Sequence, residues 1–484
     1  MNYSESWSHV RAAFQKIWGY EDFRPPQAEI IRSLLAQQDT LVVMPTGGGK
    51  SICFQLPALL QTGLTLVVSP LVALMENQVQ ELRDRHLSAA LLHSELPTHL
   101  RRRTLLQLER QQLRLLYLSP ETLLSAPVWE RLCHPQLKIN GLILDEAHCL
   151  VQWGETFRPA YRRLGAVRPA LLKYKPAGTK IVIAAFTATA DPQAQQIIHQ
   201  VLQLKQPAVF RQNPYRQNLH LKVQTAWTPR GRRQQMLKLI HTQAGASGLV
   251  YVRTRRESES LAQFAGQLGY ATAAYHAGLS PDERRSIEAS WLSGEMPFVV
   301  CTSAFGMGIN KADVRWVVHF HAPLLLSEYV QEIGRAGRDG KPSVALLLVS
   351  EPTGWLDPED KQRQRFFEDK VRSQHREAQH LVRKLPRRGE VSAVARQFPD
   401  GAIALSLLHS AGQLDWQGPF DYVVHQDARL QQLPAQLHAP RQMNQYLTTR
   451  HCRWQFLLQA FGFGKEAANL GCGQCDRCTQ KYRS

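Results

Sequence analysis

The sequence predicts an α/β fold of two parallel-sheet lobes, followed by a helical module with a winged-helix pattern and a small C-terminal metal-binding module. Three observations carry that expectation. Short apolar runs alternate with longer amphipathic stretches from about residue 40 to residue 350, as the βα units of a parallel sheet require. A turn-rich, basic break at residues 206–232 divides this region in two. Beyond Glu351 the chain turns polar and helix-favouring, and four of its eight cysteines crowd into the last 33 residues.

The candidate strands, in order, are Thr40 to Met44, Leu64 to Val68, Leu113 to Leu118, Leu142 to Leu144, Ile181 to Ala185, Gly248 to Tyr251, Phe298 to Cys301, Val314 to Val318 and Ala345 to Val349. Each is rich in Val, Ile or Leu, and most stop at a polar residue, Pro or Gly. Continuous apolar runs of this kind are buried on both faces, so functional loops belong at their carboxyl ends. No sequence repeat relates the two lobes. A polar helical stretch runs from Glu351 through Lys384 and stops at Pro386. Residues 390–424 then carry two short helical patterns and the ribbon LDWQGPFDYVV with Gly-Pro at its turn, which suggests a winged helix. The expected domains are residues 1–205, 206–350, 351–440 and 441–484.

Composition narrows the class. With 484 residues, 44% apolar and 20% charged, the chain is a multi-domain, well-cored protein rather than a disordered, collagenous or low-complexity one. No uncharged apolar run approaches the roughly 18 residues of a membrane span, and MNYSESWSHV is polar rather than signal-like. A cytoplasmic location is expected, nucleoid-associated if the source is bacterial, with no membrane partner. The formal charge of +18 and pI near 9.7 point to a polyanion. From Glu351 onward 19 basic against 14 acidic residues leave +5, and residues 1–350 hold +13, so the charge is spread. Cys53, Cys133, Cys149 and Cys301 lie among apolar neighbours and read as buried small hydrophobes, without disulfides.

Three motifs carry chemistry. MPTGGGKS, Met44 to Ser51, lies between a strand and a helix, so its backbone N–H groups can close around phosphates. Thr46, Gly47, Gly48 and Gly49 form the loop, Lys50 reaches the β and γ phosphates, and the Ser51 hydroxyl can hold Mg²⁺. The strict pattern has Gly where this chain has Met44. In LILDEAHC, Asp145 would take Mg²⁺ and Glu146 would polarise the attacking water. YVQEIGRAGRDG, Tyr329 to Gly340, places Arg335 and Arg338 in the second lobe as arginines for the γ-phosphate, Arg338 being the first choice.

These ordered motifs resemble the RecQ helicases of helicase superfamily two, across residues 14–350 and the final cysteine cluster. The resemblance implies two RecA-like lobes. GYEDFRPPQ, Gly19 to Gln27, is similar to the family's nucleotide-recognition motif, implying that Tyr20 stacks on adenine, Arg24 supports it and Gln27 reads its edge. VVSPLVALMENQ, with Ser69 and Pro70, and YLSPETL, Tyr117 to Leu123, resemble segments that touch the DNA backbone. FTATA, Phe186 to Ala190, resembles the coupling motif. AYHAGLSPDER and CTSAFGMGINKADVR, which supplies Thr302 as a DNA contact, resemble those of the second lobe.

QWGETFRPAY, Gln152 to Tyr161, follows the acidic motif directly. Trp153 and Phe157 can stack on bases at about 1–3 kcal/mol each, and Arg158 can hold a phosphate. The family's usual form reads QWGHDFRPEY, so Glu155 and Thr156 replace His and Asp. A carboxylate beside DNA would repel it, which predicts weaker or differently tuned stimulation of ATP hydrolysis by DNA.

Cys452, Cys472, Cys475 and Cys478 form C-x19-C-x2-C-x2-C, a spacing suited to tetrahedral structural Zn²⁺, with an iron–sulfur cluster as the alternative. CRWQFLLQAFG resembles the family's zinc module. Four thiolates around Zn²⁺ would lower the formal charge from +18 to +16. Family members commonly place the winged helix after the zinc module, whereas here the candidate precedes it. Trp416 to Tyr422 is therefore more readily a plain packed hairpin than a duplex-splitting wedge.

The resulting expectation is an ATP-dependent DNA helicase using ATP, Mg²⁺ and Zn²⁺, moving 3′ to 5′ by family resemblance. Its partners would be single-stranded and forked duplex DNA, with single-strand-binding or repair proteins; the oligomeric state is open and compatible with a monomer. Two rivals stand beside it: an RNA helicase or duplex translocase, and a zinc and winged-helix DNA-binding protein with an inactive motor.

Overall fold

The computed structural model describes residues 3–306, 309, 311–426, 428, 430 and 439–481. Of the second-lobe segment 301–315, Met307, Gly308 and Asn310 lie outside the described residues, as do 427, 429, 431–438 and 482–484 of the two C-terminal modules. The described residues fall into two compact units, one drawn from within 3–44, 48–212 and 372–430, the other from within 45–47, 213–371 and 439–481.

The first unit is built on seven parallel strands: β1 (Thr40–Val43), β2 (Leu64–Val68), β3 (Ala89–Leu92), β4 (Leu115–Leu118), β5 (Ile139–Leu144), β6 (Val182–Thr187) and β7 (Ala208–Arg211). Their order is β3-β4-β2-β5-β6-β1-β7. Apart from the edge strand β7, whose Val209 and Arg211 are exposed, each strand alternates its side chains between two cores. Leu41, Val43, Leu64, Leu66 and Val68 enter one, while Val42, Val67, Leu115, Tyr117 and Ile143 enter the other. Burial on both faces explains why these strands read as unbroken apolar runs.

The second unit carries a parallel sheet of β8 (Leu219–Ala226), β9 (Gly248–Tyr251), β10 (Thr272–Tyr275), β11 (Phe298–Cys301), β12 (Trp316–His319) and β13 (Ser343–Ser350), in the order β10-β11-β9-β12-β13-β8. The same two-faced division recurs, with Leu249, Val299 and Val317 on one side and Val250, Val300 and Val318 on the other. Among the described residues no helix is long and apolar enough to cross a membrane.

Four strands of the two parallel sheets were absent from the sequence expectation. Both β3 and β10 are edge strands rich in Ala, too weakly apolar to register. The break at 206–232 holds β7, which pairs with β1, and β8, which pairs with β13. The first lobe therefore runs past the expected 205 to Gln212. Cys133 is only half-buried, unlike Cys53, Cys149 and Cys301, and all eight cysteines are free thiols.

The expected 351–440 module is divided between the units. The helix Glu359–Val382 begins in the second and ends in the first. Residues 391–424 contain helices Val391–Gln397 and Gly401–Ser410 and the hairpin β15 (Leu414–Trp416) and β16 (Asp421–Val424), to which β14 (Arg388–Glu390) adds a third antiparallel strand. The hairpin's tip rests on the first lobe: Arg163 Nη1 donates to the Pro419 carbonyl at 3.0 Å, and Phe420 meets Trp129 edge-on at 5.2 Å. With its tip seated, the hairpin is a packed one and not a projecting wedge.

Candidate nucleotide and nucleic-acid site

The phosphate-loop candidate leaves the carboxyl end of β1. Met44, at the position where the strict pattern has Gly, is buried in the core and donates its N–H to the Thr187 carbonyl at 2.9 Å. It is thus the last rung of the strand, where a large apolar residue suits the packing. Gly47 and Gly49 take left-handed φ values of +84° and +77°. A Cβ on Gly49 would stand 2.3 Å from Gln27 Nε2, so conformation and space both require glycine there. Lys50 opens the helix Lys50–Leu60 and donates to the Met44 carbonyl at 3.3 Å, with Ser51 in its first turn.

Gln27 also braces the glycine loop: its Nε2 donates to the Gly48 carbonyl at 3.1 Å and its Oε1 accepts the Arg24 N–H at 2.9 Å. Tyr20 is 51% exposed and 5.8 Å from the Phe14 ring, and the Arg24 side chain is exposed. Both can meet a ligand.

Asp145 and Glu146 stand at the carboxyl end of β5, and the end of β6 holds them level with the glycine loop. Phe186 accepts the Ala147 N–H at 2.8 Å, one residue before Thr187 accepts that of Met44. Asp145 is buried, accepting from Gln78 Nε2 at 3.1 Å and from the Glu146 N–H at 3.0 Å. Burial, then the adjoining Glu146 carboxylate, push its pKa up to about 6 against the pull of Lys50. A buried carboxylate at Asp145 is the kind of oxygen donor that a hard divalent cation takes. Glu146 has φ +50°, a left-handed conformation that costs a non-glycine residue about 1–2 kcal/mol. His148 Nδ1 lies 3.3 Å from Glu146 Oε2 and 3.0 Å from Thr187 Oγ1, and Thr187 Oγ1 accepts the Thr189 N–H at 3.2 Å. The acidic motif and the 186–190 segment are therefore one hydrogen-bonded network. Burial disfavours charge on His148, but Cys149 and Glu146 outweigh it and push its pKa up to about 10.

The DNA-contact candidates divide by exposure. Phe157 is 70% exposed and meets the half-buried Trp153 edge-on at 5.7 Å. Arg158 Nη1 donates to the Pro70 carbonyl at 2.6 Å and its Nε lies 3.8 Å from Glu121, which ties three of the candidate segments together. Ser69 and Pro70 are buried, so neither side chain forms the surface expected of it. Glu155 departs furthest from expectation: its carboxylate is buried, accepting from Arg162 Nη2 and from Ser410 Oγ, each at 2.9 Å. Repulsion of DNA by an exposed Glu155 does not apply.

In the second unit Thr302 is half-buried after β11 and donates its N–H to the Tyr275 carbonyl at 3.0 Å. Arg335 is buried and donates to the Gly306 carbonyl, where a Cβ would stand 2.7 Å from its guanidinium carbon. Arg338 donates to the carbonyls of Gly334 and Ile309 at 3.4 and 3.3 Å. Burial, then Arg335 and Arg216, lower its pKa to about 10. Sequence reasoning passed over Arg216, which holds the Ala336 carbonyl at 3.1 Å and supports this loop, and Glu332, which joins Arg253 at 3.1 Å to His319 at 2.7 Å. Gln78, His148 and Thr187 were inside quoted motifs, and their partners appear only once the strands are aligned.

The four C-terminal cysteines converge. Their Sγ atoms lie within 4.8 Å of one another, with Cys472–Cys478 at 3.9 Å and Cys475–Cys452 at 4.0 Å. Tetrahedral Zn–S bonds of 2.3 Å place sulfurs about 3.8 Å apart, so the set fits a closed zinc site. Backbone N–H groups of Cys472, Cys475 and Arg453 donate to three of the sulfurs at 3.3–3.4 Å. Trp454 Nε1 fastens the cluster to β8 through the Leu219 carbonyl at 3.1 Å.

Residues 24–197 match the DEAD/DEAH box helicase family, 231–340 the helicase conserved C-terminal domain and 420–479 the RecQ zinc-binding family. The chain is 53% identical to an ATP-dependent DNA helicase RecQ of Synechocystis, over 97% of this chain and 98% of that protein. It is 41% identical to ATP-dependent DNA helicase Q5 of Rattus norvegicus over 70% of this chain, which spans 36% of the rat protein. Among solved structures, Mycobacterium smegmatis helicase Lhr bound to ssDNA and AMP-PNP superposes with a TM-score of 0.58 at 20% identity, over 90% of this chain and 61% of that one; it shows a shared fold.

Proposed function

The chain belongs to the RecQ family of ATP-dependent DNA helicases, and from that premise we propose that it uses ATP hydrolysis to move 3′ to 5′ along single-stranded DNA and open duplexes. The observation that carries the reading is the meeting of Lys50, Asp145 and Glu146 through the end of β6. The glycine loop and Lys50 hold the phosphates, and Ser51 and Asp145 hold the Mg²⁺ that neutralises them. Glu146 orients water, while the His148–Thr187 link passes the state of this site to the 186–190 segment. Arg335 and Arg338 are assigned as the arginines that stabilise charge on the γ-phosphate, and Phe157 with Trp153 as a base-stacking platform. The four cysteines hold a structural Zn²⁺. Phosphate contacts dominate affinity, so binding to single-stranded and forked DNA is salt-sensitive and largely indifferent to sequence.

Lys50→Ala tests the site. ATP hydrolysis should vanish while DNA affinity stays near that of the unaltered chain; retained turnover refutes the assignment. Unwinding of 3′-tailed, 5′-tailed and RNA duplexes decides polarity and substrate, and preference for the 5′ tail or for RNA overturns the proposal.

A further inference from the structure

The aromatic loop and the 391–424 module lie far apart in sequence, yet one buried carboxylate joins them: Glu155 Oε1 accepts from Ser410, 255 positions further along the chain. The loop has two halves. Its outward half carries the exposed Phe157, and its inward half is fixed by close packing, since a Cβ on Gly154 would stand 2.2 Å from the Leu150 carbonyl. Glu155 belongs to the inward half. It meets Arg162, itself buried, on the 3₁₀ segment Pro159–Ala166, and Ser410, the last residue of the helix Gly401–Ser410. The same face is sewn together at three further points: Ser406 Oγ to the Pro159 carbonyl at 3.3 Å, Arg163 to the Pro419 carbonyl, and Phe420 on Trp129.

We propose that Glu155, Arg162 and Ser410 are positioning residues through which the 391–424 module sets the aromatic loop for its response to DNA. The inference rests on the helicase reading and deepens it by giving the module a part in DNA-stimulated hydrolysis. Two features favour it over simple docking. Glu155 lies between Trp153 and Phe157 in sequence, so its carboxylate anchors the same stretch of backbone that carries both rings. Arg162 and Ser410 both donate to Glu155 Oε1, while Glu155 Oε2 and Arg162 Nε have no protein partner, so this buried pair hangs on few contacts and loss of the Ser410 hydroxyl weighs on it more than loss of one apolar contact would.

The test measures ATP hydrolysis of the full-length, zinc-replete chain against single-stranded DNA concentration for Ser410→Ala, Ser410→Thr and Glu155→Gln. Ser410→Ala removes one hydrogen bond to a carboxylate and little volume. It should raise the DNA concentration for half-maximal stimulation roughly five- to tenfold, the factor that about 1–1.4 kcal/mol represents, with DNA-free hydrolysis unchanged. Ser410→Thr keeps the hydroxyl and should restore the wild-type value. Glu155→Gln should act in the same direction as Ser410→Ala; should it fail to fold, the serine pair decides alone. A lowered melting temperature with an unmoved DNA dependence in Ser410→Ala overturns the proposal and leaves the contact as docking only. If the unaltered chain shows no stimulation by DNA, the helicase reading falls and this inference with it.

Discussion

Replacing Asp39 by Asn should destabilise the strand that carries the phosphate loop. Asp39 immediately precedes β1 and is 5% exposed, as is Arg168. Its Oδ1 accepts from Arg168 Nη1 at 2.8 Å and the Ile183 N–H at 2.9 Å, and its Oδ2 from Arg168 Nη1 at 2.6 Å and the Lys205 N–H at 2.7 Å. One carboxylate thus pins β1 to β6 and to the approach to β7. Asparagine fills the same space, but it turns an amide N–H₂ toward a donor and leaves the Arg168 guanidinium buried without its counter-charge. Breaking a buried pair from one side costs about 3–5 kcal/mol. At about 2–4 °C per kcal/mol for a domain of this size, the first lobe's transition should fall by roughly 6–20 °C. Calorimetry on the full chain reads this, and Arg168→Met in the Asp39→Asn background should recover part of the loss, because the orphaned charge is then gone. A shift under about 1 kcal/mol, or a double variant no better than the single, would refute the argument.

Two other outcomes follow from named groups. Chelation should remove one zinc per chain and expose Trp454, shifting its emission to the red, and Cys475→Ser should reproduce the change without chelator; unaltered emission would mean the module holds without metal. In the second unit, burial disfavours charge on His321, but Asp360, Glu257 and Glu359 outweigh it and push its pKa up to about 9 from 6.5. Its stabilising effect is therefore full below pH 6.5 and fades as pH rises through 9, so His321→Asn should flatten the stability profile in that window; an unchanged slope in denaturant titrations sinks the assignment.

What the sequence made legible follows from where each signal resides. The strands β2, β5, β9 and β11 announce themselves because both faces are buried and Val, Leu, Ile or Phe fills most of their positions. The edge strand β8 buries Leu219 and Leu221 while His220 and Lys222 face outward, so its period of two was lost in a basic stretch. The glycine loop and the acid pair are local patterns, readable because the chemistry needs adjacent residues. The surroundings of Gln27 and Glu155 were not legible for the opposite reason: their partners, the glycine-loop carbonyls and Ser410, are distant in sequence, and burial turns the Glu155 carboxylate inward.

The seat of the 391–424 module on the first lobe also bears on synthesis. The ribosome makes Glu155 and Arg162 long before Ser410, and with 255 residues between Glu155 and Ser410 the delay is roughly 10–50 s at about 5–20 residues per second. Throughout that interval the nascent first lobe presents Trp129, Arg163 and an unroofed ion pair to solvent. Vectorial folding of this chain is consequently incomplete until well into its last quarter, and that uncovered face is where a nascent-chain chaperone has something to hold.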